Sequence, residues 1–392
     1  MIQYTKNLFK KIKELSVLKK ILLFLAVAIY LGIIAICSIS FTYNYTSPGT
    51  LNRINEVINI EDVEITNSFY TVSVFSETKR CSLLEYWLRK ADRKQDIITE
   101  EDYNSVLTRN EEIKQGEAQK NQSIQDSIIC AYDIAKENGY DVDIKKTYVG
   151  VCICYMPCNY FETGPESIQI KDIIKKIGDE EITSSKKLAE VCDYYLENDR
   201  YKDSSLTVPV IEIERSGESI TLDKCNARCL AQIAKCYEAT KKYCEDNKIS
   251  NEYSFLTNYY YDYYELDTEN SKPKFSVNKA SSIGPSGGLC QTLYVYNALT
   301  NNSITIEGSL ITATGTIVND GSVGVIGAVD KKVYTIDIYM SKFFFVPEKD
   351  YDDAINAYNT IKDPKFDIVS VKNVRDAINF LVEFKEITEG GN

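Results

Sequence analysis

Residues 21–41, ILLFLAVAIYLGIIAICSISF, carry no charged side chain. An uncharged apolar run of about 20 residues is long enough, as a helix, to cross the ~30 Å hydrocarbon core of a bilayer. Before it stand Lys6, Lys10, Lys11, Lys13, Lys19 and Lys20; after it comes TYNYTSPG, with no charge. That asymmetry predicts a basic cytoplasmic N-terminus at 1–20, a transmembrane helix at 21–42 and everything from residue 43 onward outside the cytoplasm. A cleaved signal peptide is the alternative, but its apolar core would be shorter and followed by a small-x-small site.

The remaining composition narrows the chemistry. The 392 residues suffice for two or three domains. A formal charge of −12 argues against a nucleic-acid partner. Histidine is absent, so neither a Ser-His-Asp nor a Cys-His arrangement can be built within the chain, nor a zinc site that uses imidazole. No GxxxxGK[ST] phosphate loop occurs, so no ATP-driven step is expected. Of twelve cysteines, Cys37 falls in the span and eleven lie beyond it, an odd number for pairing. Cys152, Cys154 and Cys158 cluster, and Cys225, Cys229 and Cys236 share one helical face. Neither group has CxxC spacing. Metal binding, disulfides and small buried hydrophobes all remain open for them.

Beyond the span, residues 43–147 read as a membrane-proximal α/β segment. SFYTVSVF (68–75) alternates as a strand, and LLEYWLRKA (83–91) and SIQDSIICAYDIAKENG (123–139) have helical spacing, the latter ending at a Gly139 cap. The charges between 95 and 120 predict a solvated connection. Residues 148–222 give strand, strand with a Gly178-Asp179 turn, a helix opened by Ser184 or Ser185, and two strands around Ser216-Gly217. That order resembles a PDZ domain, whose groove captures a peptide as an added strand. Residues 223–273 contain a predicted helix at 225–246 and a Tyr-rich stretch, 253–267, read as a strand pair.

From 274 the pattern is α/β. KFSVNKA (274–280) alternates as a strand and leads to GPSGG (284–288), then to a helix carrying Leu289, Leu293, Tyr296 and Leu299. Ser286 sits at that helix's start, where unpaired N–H groups of Ser286, Gly287 and Gly284 are candidates to hold an oxyanion. SLITATGTIV and SVGVIG flank the hairpin signal Asn319-Asp320-Gly321. AVDKKVYTIDIYM (328–340) then has helical spacing, with Val329, Val333, Ile336 and Met340 on its apolar face. At 100° per residue Lys331 points away from that face, as a surface charge. Lys332 lies at its edge, either as a desolvated amine able to act as a base or as a boundary lysine reaching for water.

GPSGG, ATGTI, DGSVGVIGAVDKK and FFFVP together resemble the proteolytic domain of the Lon family over about 274–382. The resemblance implies Ser286 as nucleophile, Lys332 as its base and Thr314 as the residue that supports the lysine. Gly287 and Ala328 depart from the family's usual Ala and Gly, and YTIDIYM replaces its basic segment after the lysine. With the anchor, the Ser47-Pro48-Gly49 segment and the PDZ-like unit, the whole chain resembles the membrane-anchored PDZ–Lon peptidases of Gram-positive bacteria. It implies a multidomain α+β protein: one N-terminal transmembrane helix, a PDZ-like domain at 148–222, connecting residues 223–273 and a Lon-type proteolytic domain at 274–392. The implied activity is an ATP-independent Ser-Lys endopeptidase, using neither cofactor nor metal. Its substrate is a peptide or exposed protein segment, which the PDZ-like groove would help to hold; oligomerisation is left open. The alternatives are an inactive PDZ-type scaffold and a surface adhesin that uses the Tyr-rich stretch.

Overall fold

A computed structural model describes residues 15–63, 68–99, 109–154, 168–197, 210–223, 260–278, 284–318 and 320–389. They form an α+β protein that divides into two compact units, residues 1–47 with 75–104, and residues 48–74 with 105–392.

The chain opens with helix α1 (Val17–Ser38), none of whose 22 residues is buried. It is long and apolar enough to cross a membrane. Strands β1 (Ser40–Arg53), β2 (Ile58–Ile60) and β3 (Phe69–Ser82) follow, then helix α2 (Leu83–Ala91) and strand β4 (Asp96–Thr99). In the first unit β1 lies between β3 and β4, with β4 antiparallel to it from Tyr43↔Thr99 to Thr46↔Asp96. The helix predicted at 83–91 forms with those bounds. Ser82 caps it, its hydroxyl accepting from the Glu85 N–H at 3.2 Å.

The second unit begins where β1 continues past Pro48. Helix α3 (Arg109–Glu137) is followed by β5 (Asp143–Ile153), β6 (Ile173–Ile177), β7 (Glu180–Glu181), α4 (Ser185–Glu197), β8 (Ile211–Arg215), β9 (Glu218–Leu222) and β10 (Tyr260–Lys272). These strands make an antiparallel sheet in the order β10-β5-β6-β8-β9, with β7 beside β6. Ser216 and Gly217 both adopt positive φ at the β8–β9 hairpin, which suits the twist of the strands they join. Ser184 accepts from the Lys187 N–H at 3.0 Å and so caps α4. Ile174, Ile177, Leu188, Cys192, Ile211 and Ile213 are among the residues of its core. The Tyr-rich stretch supplies one strand, β10, which pairs with β5 from Tyr260↔Ile153 onward; residues 253–259 and the predicted helix at 225–246 lie outside the described residues.

The rest of the unit contains β11 (Phe275–Val277), α5 (Gly288–Leu299), β12 (Ile311–Ala313), β13 (Thr316–Ile317), β14 (Val323–Gly324), α6 (Val329–Tyr339), β15 (Phe343–Pro347), α7 (Tyr351–Tyr358), β16 (Asp367–Val371) and α8 (Val374–Glu389). Here β3 pairs in parallel with β12, β12 with β15 and β15 with β16. Strand β11 is antiparallel to β2. Only the short β13 and β14 form the expected hairpin, Thr316↔Gly324 and Ile317↔Val323, because β12 joins the parallel sheet instead.

One core joins Ile54, Ile58, Phe69, Ile128 and Ala131 to Leu289, Leu293, Ile311, Phe345 and Leu381. Residues of the 43–147 segment therefore complete the core of the 274–392 segment.

Two expectations need correction. The charged stretch between 95 and 120 was expected to be a solvated connection; from Arg109 it is instead the start of α3, exposed or half-buried over 109–115 but with Gly116, Ala118, Gln119 and Lys120 buried, as are Gln122, Ser123, Gln125, Asp126 and Ser127 beyond it. Three of these side chains, Ser123, Gln125 and Ser127, serve as partners to backbone of other segments. Gln125 donates to Asp262 O and accepts from the Tyr264 N–H, at 3.0 and 2.9 Å. Met340, expected on the buried face of α6, is 74% exposed. It adopts the left-handed conformation that ends the helix, so its side chain leaves the face that periodicity assigned.

Six of the seven described cysteines, Cys81, Cys130, Cys152, Cys154, Cys192 and Cys290, are buried free thiols. Cys158, Cys225, Cys229, Cys236 and Cys244 lie outside the described residues.

Gly49 shows a close backbone approach. A Cβ there would meet Ser73 O at 2.3 Å and Val74 Cα at 2.8 Å. Its N–H donates to Thr335 Oγ1 of α6 at 2.9 Å. Neither atom of the opposing backbone can rotate away, so Gly49→Ala is expected to destabilise the unit by more than about 2 kcal/mol. A lowered thermal midpoint of the detergent-solubilised chain checks this; an unchanged midpoint contradicts it.

Candidate active site

The glycine turn 284–288 is held from two sides. From α3, Ser123 Oγ donates to Pro285 O at 2.9 Å and Ser127 Oγ donates to Gly288 O at 3.0 Å. A Cβ on Gly288 would lie 2.7 Å from Ser123 Oγ and 2.8 Å from Ile317 Cγ2, so this position has no room for a side chain. From the other side, Ser286 O accepts from the Gly315 N–H at 2.9 Å and from Thr314 Oγ1 at 3.2 Å.

Helix α5 starts immediately after, with no side-chain cap on its first turn. Of the three residues expected to offer oxyanion-binding N–H groups, Gly284 is already engaged, donating to Gly116 O at 3.2 Å. Its expected role is therefore corrected. The N–H groups of Ser286 and Gly287 have no backbone acceptor among the described residues, as expected for the first donors of a helix start.

Lys332 comes from the second turn of α6. Its N–H donates to Ala328 O at 3.2 Å, and Ala328 itself is left-handed at φ 54°. Val329, Lys331, Val333, Tyr334, Thr335 and Ile336 are buried around it. The Lys332 side chain is 2% exposed, and its Nζ donates to Thr314 Oγ1 at 2.8 Å. Thr314 is fully buried and fixed by its own N–H, which donates to Phe345 O at 2.9 Å. One hydroxyl thus accepts from the Lys332 amine and donates to the Ser286 carbonyl. Among the described residues no hydrogen bond joins Ser286 Oγ to Lys332 Nζ.

Burial pushes the Lys332 amine down to about 7, against a weaker opposing pull from Asp350. Asp350 is pushed up by its own burial, while the Ile326 N–H, which donates to its Oδ2 at 2.9 Å, favours the charged form. An amine with this pKa is half neutral near pH 7 and can accept a proton from a neighbouring hydroxyl.

Lys331, expected as a surface charge, is also 2% exposed and is paired with Asp330. Its angular position on α6 was read correctly, but nearly the whole N-terminal part of that helix is enclosed.

The structure thus brings Ser286, Thr314 and Lys332 together. Asp350, Ser123, Ser127 and the Gly49–Thr335 contact were not anticipated. Asp350 follows the FFFVP strand with no periodic signal, and the two serines lie on a helix too polar to suggest burial. A cavity of about 480 Å³ adjoins α6, lined by Ile326, Ala328, Asp330, Tyr334 and Asp350 among others. No group of three or more metal-ligating side chains occurs among the described residues.

No family model matches the chain, and no curated protein matches it.

Two stability changes follow. Lys332 binds its proton more weakly folded than unfolded, so the charged amine penalises the fold below pH 7, and the penalty fades as pH rises from about 7 to the ordinary lysine range. Lys332→Met should therefore stabilise the chain at pH 7, by roughly 4 kcal/mol at most, with the gain shrinking toward pH 10. A thermal midpoint measured against pH reads this directly, and a gain that grows with pH would be the wrong sign. Ala328→Gly should add about 1 kcal/mol by relieving the left-handed alanine, whereas Ala328→Val should lower the midpoint.

Proposed function

We propose that the chain is a membrane-tethered, ATP-independent serine endopeptidase in which Lys332 activates Ser286. The observation that carries this reading is the chain of contacts from a buried amine, with its pKa near 7, through the Thr314 hydroxyl to the Ser286 carbonyl. Serine-lysine pairs are a known variant of the serine-nucleophile arrangement, and the absence of histidine makes an amine the available nitrogen base within the chain.

In this mechanism neutral Lys332 takes the Ser286 hydroxyl proton as Oγ attacks a peptide carbonyl. The N–H groups of Ser286 and Gly287 hold the resulting oxyanion. Lys332 then protonates the leaving amine, and the acyl-serine is released by a water that Lys332 deprotonates. Thr314 is a positioning residue: it accepts from the ammonium form and fixes the amine beside residue 286. In this mechanism Oγ must come within hydrogen-bond reach of Nζ, a contact that is not made among the described residues.

The resemblance to the PDZ–Lon peptidases supports the same assignment. It would give the sheet of β5, β6 and β8 with α4 the task of holding substrate as an added strand. The lysine-rich flank before α1 supports a cytoplasmic N-terminus and an extracytoplasmic catalytic region. Substrates are then peptides and unfolded or exposed protein segments at the membrane surface.

A fluorophosphonate probe on the solubilised full-length chain tests the reading. Labelling should depend on Ser286, vanish in Ser286→Ala and in Lys332→Met, and rise with pH through about 7 as the amine loses its proton. Thr314→Val should slow labelling by about 100-fold, the range expected when a general base is lost from its place. Labelling that is absent from the wild type, or indifferent to Ser286, would instead favour the scaffold reading, in which the sheet binds peptides and the glycine turn is inert.

A further inference from the structure

Helix α2 is amphipathic in the reverse sense to a helix packed on a protein core. Leu84, Trp87 and Leu88 lie within one face at i, i+3 and i+4, and they are 38%, 51% and 65% exposed. The polar and aromatic face is the one turned to the sheet. Tyr86 stacks on Tyr43 of β1 with ring centroids 4.7 Å apart. Arg89 covers the Tyr45 ring at 4.4 Å and binds both Glu85 and Gln95. Packing against water would normally orient such a helix the other way.

The position of α2 supplies its occupant. The antiparallel run of β1 and β3 returns the chain to the point where α1 ends. The Leu83 N–H, the first of α2, donates to Ile39 O at 2.9 Å, and Arg80 Nε donates to Ser40 Oγ at 2.8 Å. Ile39 is the residue directly after α1. Between residues 75 and 94 the chain carries Lys79, Arg80, Arg89, Lys90, Arg93 and Lys94 against only Glu77, Glu85 and Asp92, a local cationic excess in a protein whose overall charge is −12.

We propose that α2 is an interfacial helix that lies on the membrane α1 enters, with Leu84, Trp87 and Leu88 inserted among the lipid headgroups of an anionic leaflet. The proposal rests on the reading of α1 as a membrane span. Continuity with α1 fixes the depth of α2 at the level where a span leaves the hydrocarbon. Tryptophan favours that level because its ring is apolar while its indole N–H still needs a polar partner. Lysine and arginine at the same level reach anionic headgroups. Contact at this second place would restrain the first unit against swinging about the single span.

Trp87 is the chain's one tryptophan, so its fluorescence reports on α2 alone. The full-length chain is reconstituted in phosphatidylcholine–phosphatidylglycerol vesicles and its emission is quenched either by lipids brominated near the headgroup or by acrylamide in the water. The expected result is blue-shifted emission, strong quenching by the brominated lipid and loss of most acrylamide quenching. Leu84→Gln with Leu88→Gln should reverse both effects. Emission at the wavelength of a hydrated indole, open to acrylamide and untouched by the lipid quencher, overturns the proposal. So does emission shielded from both quenchers, which would mean that protein covers this face. Carbonate extraction of the same vesicles tests the span separately. A chain released by carbonate fails at α1, and one retained with Trp87 in water fails at α2 alone.

Discussion

The desolvated amine of Lys332 is the constraint around which the second unit is arranged. A charged lysine in an apolar interior costs several kcal/mol unless it loses its proton or gains partners. Here the enclosure is nearly complete, and among the described residues the side chain that accepts from the amine is a hydroxyl rather than a carboxylate. A carboxylate in that place would favour the protonated form and raise the amine's pKa again. Thr314 can accept from the amine in either protonation state while leaving its pKa low, and its own proton is directed to the Ser286 carbonyl. The choice of threonine thus reconciles two demands, a fixed lysine and a neutral one. Asp350 is close enough to pull the pKa upward, but this effect is smaller than that of burial.

Holding that amine in place takes much of the chain, including segments far from it in sequence. Gly49 has no side chain, so the first strand can pass against Ser73 while its N–H reaches Thr335 on the lysine's own helix. Thr335 Oγ1 donates in turn to Lys331 O, one turn back. On the serine side, Ser123 and Ser127 of α3 fix two carbonyls of the glycine turn. The site is therefore assembled by contacts between segments that begin near residue 48, 109, 284, 311 and 329. None of these segments could be cut away as a dispensable linker.

The GPSGG turn, the helix after it and the lysine-bearing helix were legible in the sequence, because each combines a glycine signal with apolar spacing. The hairpins and helix cap in the 168–222 stretch were legible for the same local reasons. What escaped was whatever depends on distant partners. Nothing in the polar run of α3 marks Gln125 as a bridge between two backbone groups of β10, or Ser123 as a prop for Pro285. The charged run up to residue 120 reads as solvated because its composition is what solvated helices have. Its first residues, 109–115, do reach solvent; from Gly116 onward α3 is largely enclosed, and there Ser123, Gln125 and Ser127 bond backbone groups of other segments. Likewise Asp350 became relevant only through the fold that sets it near Lys332.

Helical periodicity identifies which residues share a face; it does not identify the medium that covers it. On α6, the angle of Lys331 away from Val329, Val333 and Ile336 was correct, but the opposite side of the helix is covered too, so a lysine that looked solvated is enclosed beside Asp330. On α2 the inference runs in the opposite direction. Leu84, Trp87 and Leu88 share a face as an apolar stripe should, yet no described part of the protein covers them. In both helices the missing quantity is the environment on the far side, which is set by neighbouring elements or by lipid. An exposed apolar stripe joined through Leu83 and Ile39 to the end of α1, a helix long and apolar enough to cross a membrane, fits a membrane surface, for the rest of α2 is capped, ion-paired and stacked.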